Sequence, residues 1–315
     1  MIDDRLLDDR LKNQRLMQIF VLDKFKNMIT IQNKKLKATF KELGAELISL
    51  MNFQTGKEIM WSGNTDFWGG QSPVLFPTVG ALKNEQYIFE GKTYELPRHG
   101  FARRRVFDIK NSSETEVIFE LKSDEESLKI YPFEFSLEIK YALVENKLTV
   151  SYQVKNLSEK AMYFSLGAHP GFAIDTKNGL SYNDYEITFS DDEKLEIHPL
   201  IDNLISNETE TIELENKTLP LSYETFAKDA LVMTTMKSRE LILRNHKNTD
   251  KVIFTFSNFP YFGIWAAKNA DFVCLEPWQG IADLENHNQE LTEKFGILKL
   301  EKNGDWKANW AVEIE

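Results

Sequence analysis

Along most of this chain apolar and polar residues alternate one by one, the period of a strand with one buried and one wet face. Residues 133–141 read Phe-Glu-Phe-Ser-Leu-Glu-Ile-Lys-Tyr, apolar at each odd position. Residues 148–155 read Leu-Thr-Val-Ser-Tyr-Gln-Val-Lys, apolar at each even one. The polar Glu145-Asn146-Lys147 lies between them, so the pattern predicts an antiparallel hairpin. The same alternation marks 117–121, 185–189, 241–244, 252–256 and 310–314. Turn residues separate the runs, as at Asn111-Ser112-Ser113, Asn156-Leu157-Ser158 and Lys177-Asn178-Gly179.

Helical periodicity is scarce beyond residue 28, where 222–229 and 284–295 are the two candidate helices. Strands at this density predict an all-β fold, a large antiparallel sandwich with few short helices, rather than βαβ units. Residues 1–27 read differently. Asp3-Asp4-Arg5-Leu6 nearly repeats as Asp8-Asp9-Arg10-Leu11, and Leu7, Leu11, Gln14 and Met17 fall at helical spacing. They predict a helical or frayed N-terminal extension, with Met28 the more natural start of a single domain over 28–315.

Composition adds bounds. With 42% apolar and 12% aromatic residues in 315, the chain has ample material for a core. A net charge of −11 argues against nucleic acid or an anionic membrane as the main partner. An anionic substrate would need a local basic site, and Arg98, Arg103, Arg104 and Arg105 offer one. Arg104 and Arg105 read equally well as a solvated basic turn. The single cysteine excludes an intrachain disulfide. That count, the acidic start and the lack of a long apolar run together predict a cytoplasmic protein. No Gly-rich nucleotide fingerprint, P-loop or zinc spacing is present, so neither cofactor nor metal is expected.

Three islands concentrate proton-handling side chains among Gly, Pro and aromatics: Arg98-His99-Gly100-Phe101-Ala102-Arg103, Gly167-Ala168-His169-Pro170-Gly171-Phe172, and Cys274-Leu275-Glu276-Pro277-Trp278-Gln279-Gly280. His169 and Glu276 each precede a proline, which biases them to extended backbone. In Phe272-Val273-Cys274-Leu275-Glu276 the even-numbered residues share one strand face, and a glutamate there is costly unless paired or protonated. The Pro-Trp-Gln-Gly that follows supplies a rigid turn with an aromatic plane suited to a sugar ring. Asp229 has no motif strength of its own. His198, His246 and His287 lie in turns or polar stretches and read as incidental. Cys274, inside an apolar strand, reads as core rather than nucleophile.

The islands, together with Leu43-Gly44-Ala45-Glu46-Leu47 and Trp68-Gly69-Gly70-Gln71-Ser72-Pro73-Val74-Leu75-Phe76-Pro77, resemble the aldose 1-epimerase (mutarotase) family, its LacX-like branch above all. The five segments run in the family order and cover essentially 28–315. The resemblance implies a galactose-mutarotase-type β-supersandwich, a small-molecule hexose as ligand, no cofactor, and a monomer or homodimer. By the same resemblance Glu276 matches the general base, His169 the general acid, His99 a histidine that contacts the sugar, and Asp229 a sugar-binding aspartate. Galactose-specific members carry Gly-Arg before the first histidine, where this chain has Val79-Gly80-Ala81-Leu82-Lys83-Asn84. Arg103 is the candidate replacement. Competing expectations are a hexose-6-phosphate 1-epimerase gripping phosphate with Arg98, Arg103 or Lys83, and a non-catalytic sugar-binding or regulatory protein. A glycoside hydrolase would instead use Glu276 and Asp229 about 5–9 Å apart.

Overall fold

The computed structural model describes residues 28–177 and 179–315, so the expected extension over 1–27 lies outside the described residues. The predicted hairpin forms from the strands Phe135–Val144 and Lys147–Asn156. Leu137 stands opposite Val154, Ile139 opposite Tyr152 and Tyr141 opposite Val150, so the two alternating patterns meet on one buried face. These strands belong to a nine-stranded antiparallel sheet. Its order is Thr218–Pro220, Tyr185–Phe189, Glu240–Asn245, Lys251–Ser257, Asp305–Ile314, Lys147–Asn156, Phe135–Val144, Glu116–Lys122 and Asp108–Ser112. Every strand predicted from alternation is present.

A second, eight-stranded sheet carries the His169 and Glu276 islands. Its path is Glu210–Glu213, Lys194–His198, Leu231–Met233, Tyr261–Trp265, Phe272–Gln279, Leu166–Ala168 and Val74–Leu75, with Gly171–Ala173 also paired to Phe272–Gln279. The inner faces of the two sheets meet in a shared aromatic core. Phe172 and Phe262 of the second sheet pack on Phe254 of the first, and Phe254 stacks on Trp310 with centroids 5.4 Å apart. The Trp310 indole N–H donates to the Tyr152 hydroxyl at 3.0 Å, which satisfies two buried polar groups at once. A third sheet of Met28–Gln32, Leu36–Lys41, Leu47–Asn52 and Lys57–Glu58 completes the main strands.

The two expected helices do not form as α-helix. Residues 222–229 hold only the 3₁₀ turn Tyr223–Phe226, and 284–295 only the turn Leu291–Glu293. Among the described residues the α-helix is instead Glu125–Ile130, started by a capping box in which the Asp124 carboxylate accepts from the Ser127 backbone N–H. One-and-a-half turns are too few for a periodic pattern to register, so the cap was its only sequence signal. No helix among the described residues is long and apolar enough to cross a membrane.

Candidate active site

Phe272–Gln279 is buried at every position and runs through the middle of the second sheet. On one side the chain 166–173 follows it as a broken strand. Gly167 pairs with Trp278 and Gly171 with Cys274 in one continuous register, and the ladder lapses between them. His169 and Pro170 occupy that lapse, facing Glu276 and Leu275. The missing N–H of Pro277 falls at the same gap, which explains how a proline is tolerated inside a central strand. Register alone therefore sets His169 opposite Glu276, with Nε2 3.3 Å from Oε2.

Both groups are buried, Glu276 at 1% and His169 at 8% exposure. Glu276 Oε2 and His169 Nδ1 have no hydrogen-bond partner. Burial pushes the Glu276 carboxyl well above its ordinary range, and nearby Asp229 adds to this while Arg98 and the Trp278 indole act in the opposite direction. Burial likewise pushes His169 down to about 3, with Arg103 and Arg98 contributing. Both shifts disfavour charge. The imidazole is held between aromatics: Trp68 stacks on it at 4.8 Å, and Trp265 and His99 meet it edge-on.

His99 reaches the site through a parallel bridge between Phe76 and Gly100. Gly100 has φ 67°, and a Cβ there would lie 2.3 Å from the Phe76 carbonyl oxygen, so only glycine lets the two segments touch. His99 itself has φ 68° and Asp229 φ 106°, left-handed backbone that non-glycine residues adopt mainly where the surroundings impose it. The Gly80 N–H points at His99 Nδ1 at 3.1 Å. The Arg98 Nε–H points at the other ring nitrogen, Nε2, at 3.2 Å. A neutral imidazole accepts through only one nitrogen, so these two N–H groups compete for one acceptor. Burial, then the charges of His169, Arg98 and Arg103, hold His99 well below its ordinary pKa.

These residues line one cavity of about 280 Å³, just below the usual range for small-molecule sites of about 300–1,000 Å³. His99, Arg103, His169, Asp229 and Glu276 all border it, so all five residues singled out in the sequence converge. Trp278 forms part of the wall, its indole crossing over Gly167 and Gly263, where any Cβ would collide with it at 2.6 and 2.3 Å.

A family model described as Aldose 1-epimerase matches residues 27–297. The chain belongs to the aldose 1-epimerase family. Among relatives of this epimerase-family protein, the chromosomal LacX protein of Lactococcus lactis subsp. lactis is 33% identical over 282 residues, 86% of this chain and 94% of that one. An X-ray structure from Lactobacillus acidophilus, described as a galactose mutarotase related enzyme, superposes with a TM-score of 0.88 at 33% identity, covering 91% of this chain and 97% of the other. A galactose mutarotase-like protein from Lactobacillus casei ATCC 334 gives a TM-score of 0.85 at 31% identity, covering 92% and 100%. The chain thus has the galactose-mutarotase-like fold and sits among carbohydrate epimerases.

Several cavity residues of this family member escape a reading by sequence. Asn203 arrives on the hairpin formed by Leu200–Ile201 and Leu204–Ile205 and accepts from Arg98 Nη1 at 2.7 Å. Nothing local marks it. Trp265, at the end of its strand, is equally unmarked, whereas Trp68 and Trp278 fall inside the motif segments. Arg98 was visible as part of the basic cluster. Among the described residues neither Arg98 nor Arg103 pairs with a carboxylate: Arg103 Nη2 donates to the Arg98 carbonyl at 3.2 Å, and its Nε has no partner. Arg105 points elsewhere and pairs with Asp124. His198, His246 and His287 stay outside the cavity. His198 is engaged by Thr234 and Ser206, and the other two lie near Asp184 and Asp283.

Proposed function

We propose that the protein interconverts the α and β anomers of a hexose by ring opening and closure, with Glu276 as base and His169 as acid. The observation that carries this is the pair itself, buried, face to face at 3.3 Å, and open to a cavity sized for one sugar ring. Ring opening removes the proton of the C1 hydroxyl and delivers one to the ring oxygen as the C1–O bond breaks. Rotation about C1–C2 and closure on the other carbonyl face reverse both transfers. A single proton shared by two groups is sufficient for this cycle. As arranged, burial favours that proton on Glu276. For the forward step it crosses to His169, and Arg98 together with sugar hydroxyls stabilises the carboxylate left behind. Each placed proton transfer contributes about 10²–10⁴-fold in rate. His99 and Arg98 hold sugar oxygens by hydrogen bonds, Asp229 accepts from another hydroxyl, and Trp278 provides the apolar face.

A hexose 6-phosphate is the second reading, favoured by two cavity arginines with no carboxylate partner. The free hexose is preferred because Arg98 is already engaged by Asn203 and Arg103 by the Arg98 carbonyl. The test is anomer exchange followed by NMR for glucose, galactose and their 6-phosphates. Catalysis of a free hexose supports the proposal, a strong preference for a 6-phosphate moves the substrate to the second reading, and no catalysis of any of the four overturns the enzyme assignment.

A further inference from the structure

We propose that Cys274, with His169 and Glu276, forms a binding site for one thiophilic divalent cation, with Zn²⁺ as the probe, and that its occupation stops the reaction. Cys274 is the only cysteine of the chain and has no part in the proton transfers. Strand alternation places it two residues before Glu276 on the same face, and its partner in the ladder is Gly171, just beyond His169. One donor atom from each of the three residues lies within 4.8 Å of the other two, and all three side chains are buried. A second observation points to a ligand: Glu276 Oε2, the oxygen that faces His169 Nε2, is a buried atom without a hydrogen-bond partner, a costly condition that a cation would relieve.

The donor set is chemically specific. An imidazole nitrogen, a thiolate and a carboxylate suit Zn²⁺, whose bonds of about 2.0–2.3 Å place neighbouring ligand atoms about 3.4 Å apart in a tetrahedron. The His169–Glu276 separation of 3.3 Å already matches one such edge. The other two edges lie within 4.8 Å. On binding, the thiol S–H bond is given up for a sulfur–metal bond and the carboxyl proton of Glu276 is given up as its oxygen binds, so two protons leave to solvent. Two anionic donors then neutralise the 2+ charge, which removes most of the penalty of burying it. His169 and Glu276 both border the cavity. A cation held there occupies the lone pairs that the proposed epimerisation uses. The inhibition therefore rests on that functional reading, whereas the binding does not.

The test uses the full chain with Co²⁺ as spectroscopic probe and Zn²⁺ as inhibitor. The expected result is one Co²⁺ per chain with a thiolate-to-metal charge-transfer band, displaced by Zn²⁺, and loss of anomer exchange that a chelator restores. Loss of an outer partner already weakens metal sites about 10–100-fold, so Cys274→Ala, which removes a direct ligand, is expected to weaken Zn²⁺ inhibition by at least about 100-fold. The metal-free rate of that variant should be unchanged. Equal Zn²⁺ inhibition of Cys274→Ala, or Co²⁺ bound without the thiolate band, overturns the site. If Cys274→Ala does not fold, the Co²⁺ spectrum of the natural chain decides. The same spectrum decides if the protein proves to have no epimerase activity, so the two readings fail separately.

Discussion

His169 and Glu276 are cross-strand partners: the register that joins Gly167 to Trp278 and Gly171 to Cys274 brings them opposite one another at the one point where the ladder lapses. Their 3.3 Å separation is set by sheet geometry rather than by loop packing. A site built this way is positioned by rigid elements, which suits a reaction needing two groups at a fixed distance.

Glu276→Gln tests the base. The amide keeps the shape and avoids burying a charge, so the melting temperature should hold while the anomer-exchange rate falls by about 10²–10⁴-fold. Polarimetry of a freshly dissolved anomer reads the rate, and a variant as fast as the natural protein would remove Glu276 from the mechanism.

For His169→Asn a split between kinetic constants is expected. An acid that acts only as the ring oxygen gains its proton contributes to kcat more than to substrate affinity, so kcat should drop with KM little changed. A rise confined to KM would make His169 a binding residue.

Arg103→Ala separates the two substrate readings. If Arg103 contacts a neutral sugar, turnover of glucose or galactose falls and the 6-phosphates show no advantage. Selective loss of a 6-phosphate substrate, with inorganic phosphate competing against it in the natural protein, would favour the phosphorylated sugar.

Lys294→Met addresses a buried ion pair. Lys294 Nζ lies 2.7 Å from Asp283 Oδ1 with both side chains 1% exposed, and Asp283 Oδ2 accepts from the Lys83 backbone N–H. Removing the lysine leaves a buried carboxylate without its partner, a loss of about 3–5 kcal/mol. The double variant Asp283→Asn/Lys294→Met should recover much of that. Denaturant midpoints of the three proteins measure it, and a single variant as stable as the natural chain would show the pair to be unimportant.

Gly263→Ala probes the cavity wall. The new methyl would lie 2.3 Å from the Trp278 ring, so the indole must move, at about 1–3 kcal/mol for overpacking. Thermal melting and the Trp fluorescence spectrum should both shift, and anomer exchange should fall with them.

What the sequence determined is what local periodicity encodes. Alternation assigned faces to Phe135–Val144 and Lys147–Asn156 because a strand side chain points in or out by position alone. The Gly- and Pro-framed islands marked His99, His169 and Glu276, since backbone that must turn or touch closely leaves those residues in the chain. Helices over 222–229 and 284–295 were misread because short amphipathic runs also suit 3₁₀ turns held by tertiary contacts. Only the tertiary structure decided which strands became neighbours. It brought Asn203 and Trp265 to the cavity, placed N–H donors against both ring nitrogens of His99, and aligned His169 with Glu276 across a sequence gap of more than a hundred residues. Pairing of that kind depends on register between distant segments, and no local pattern in either segment specifies its partner.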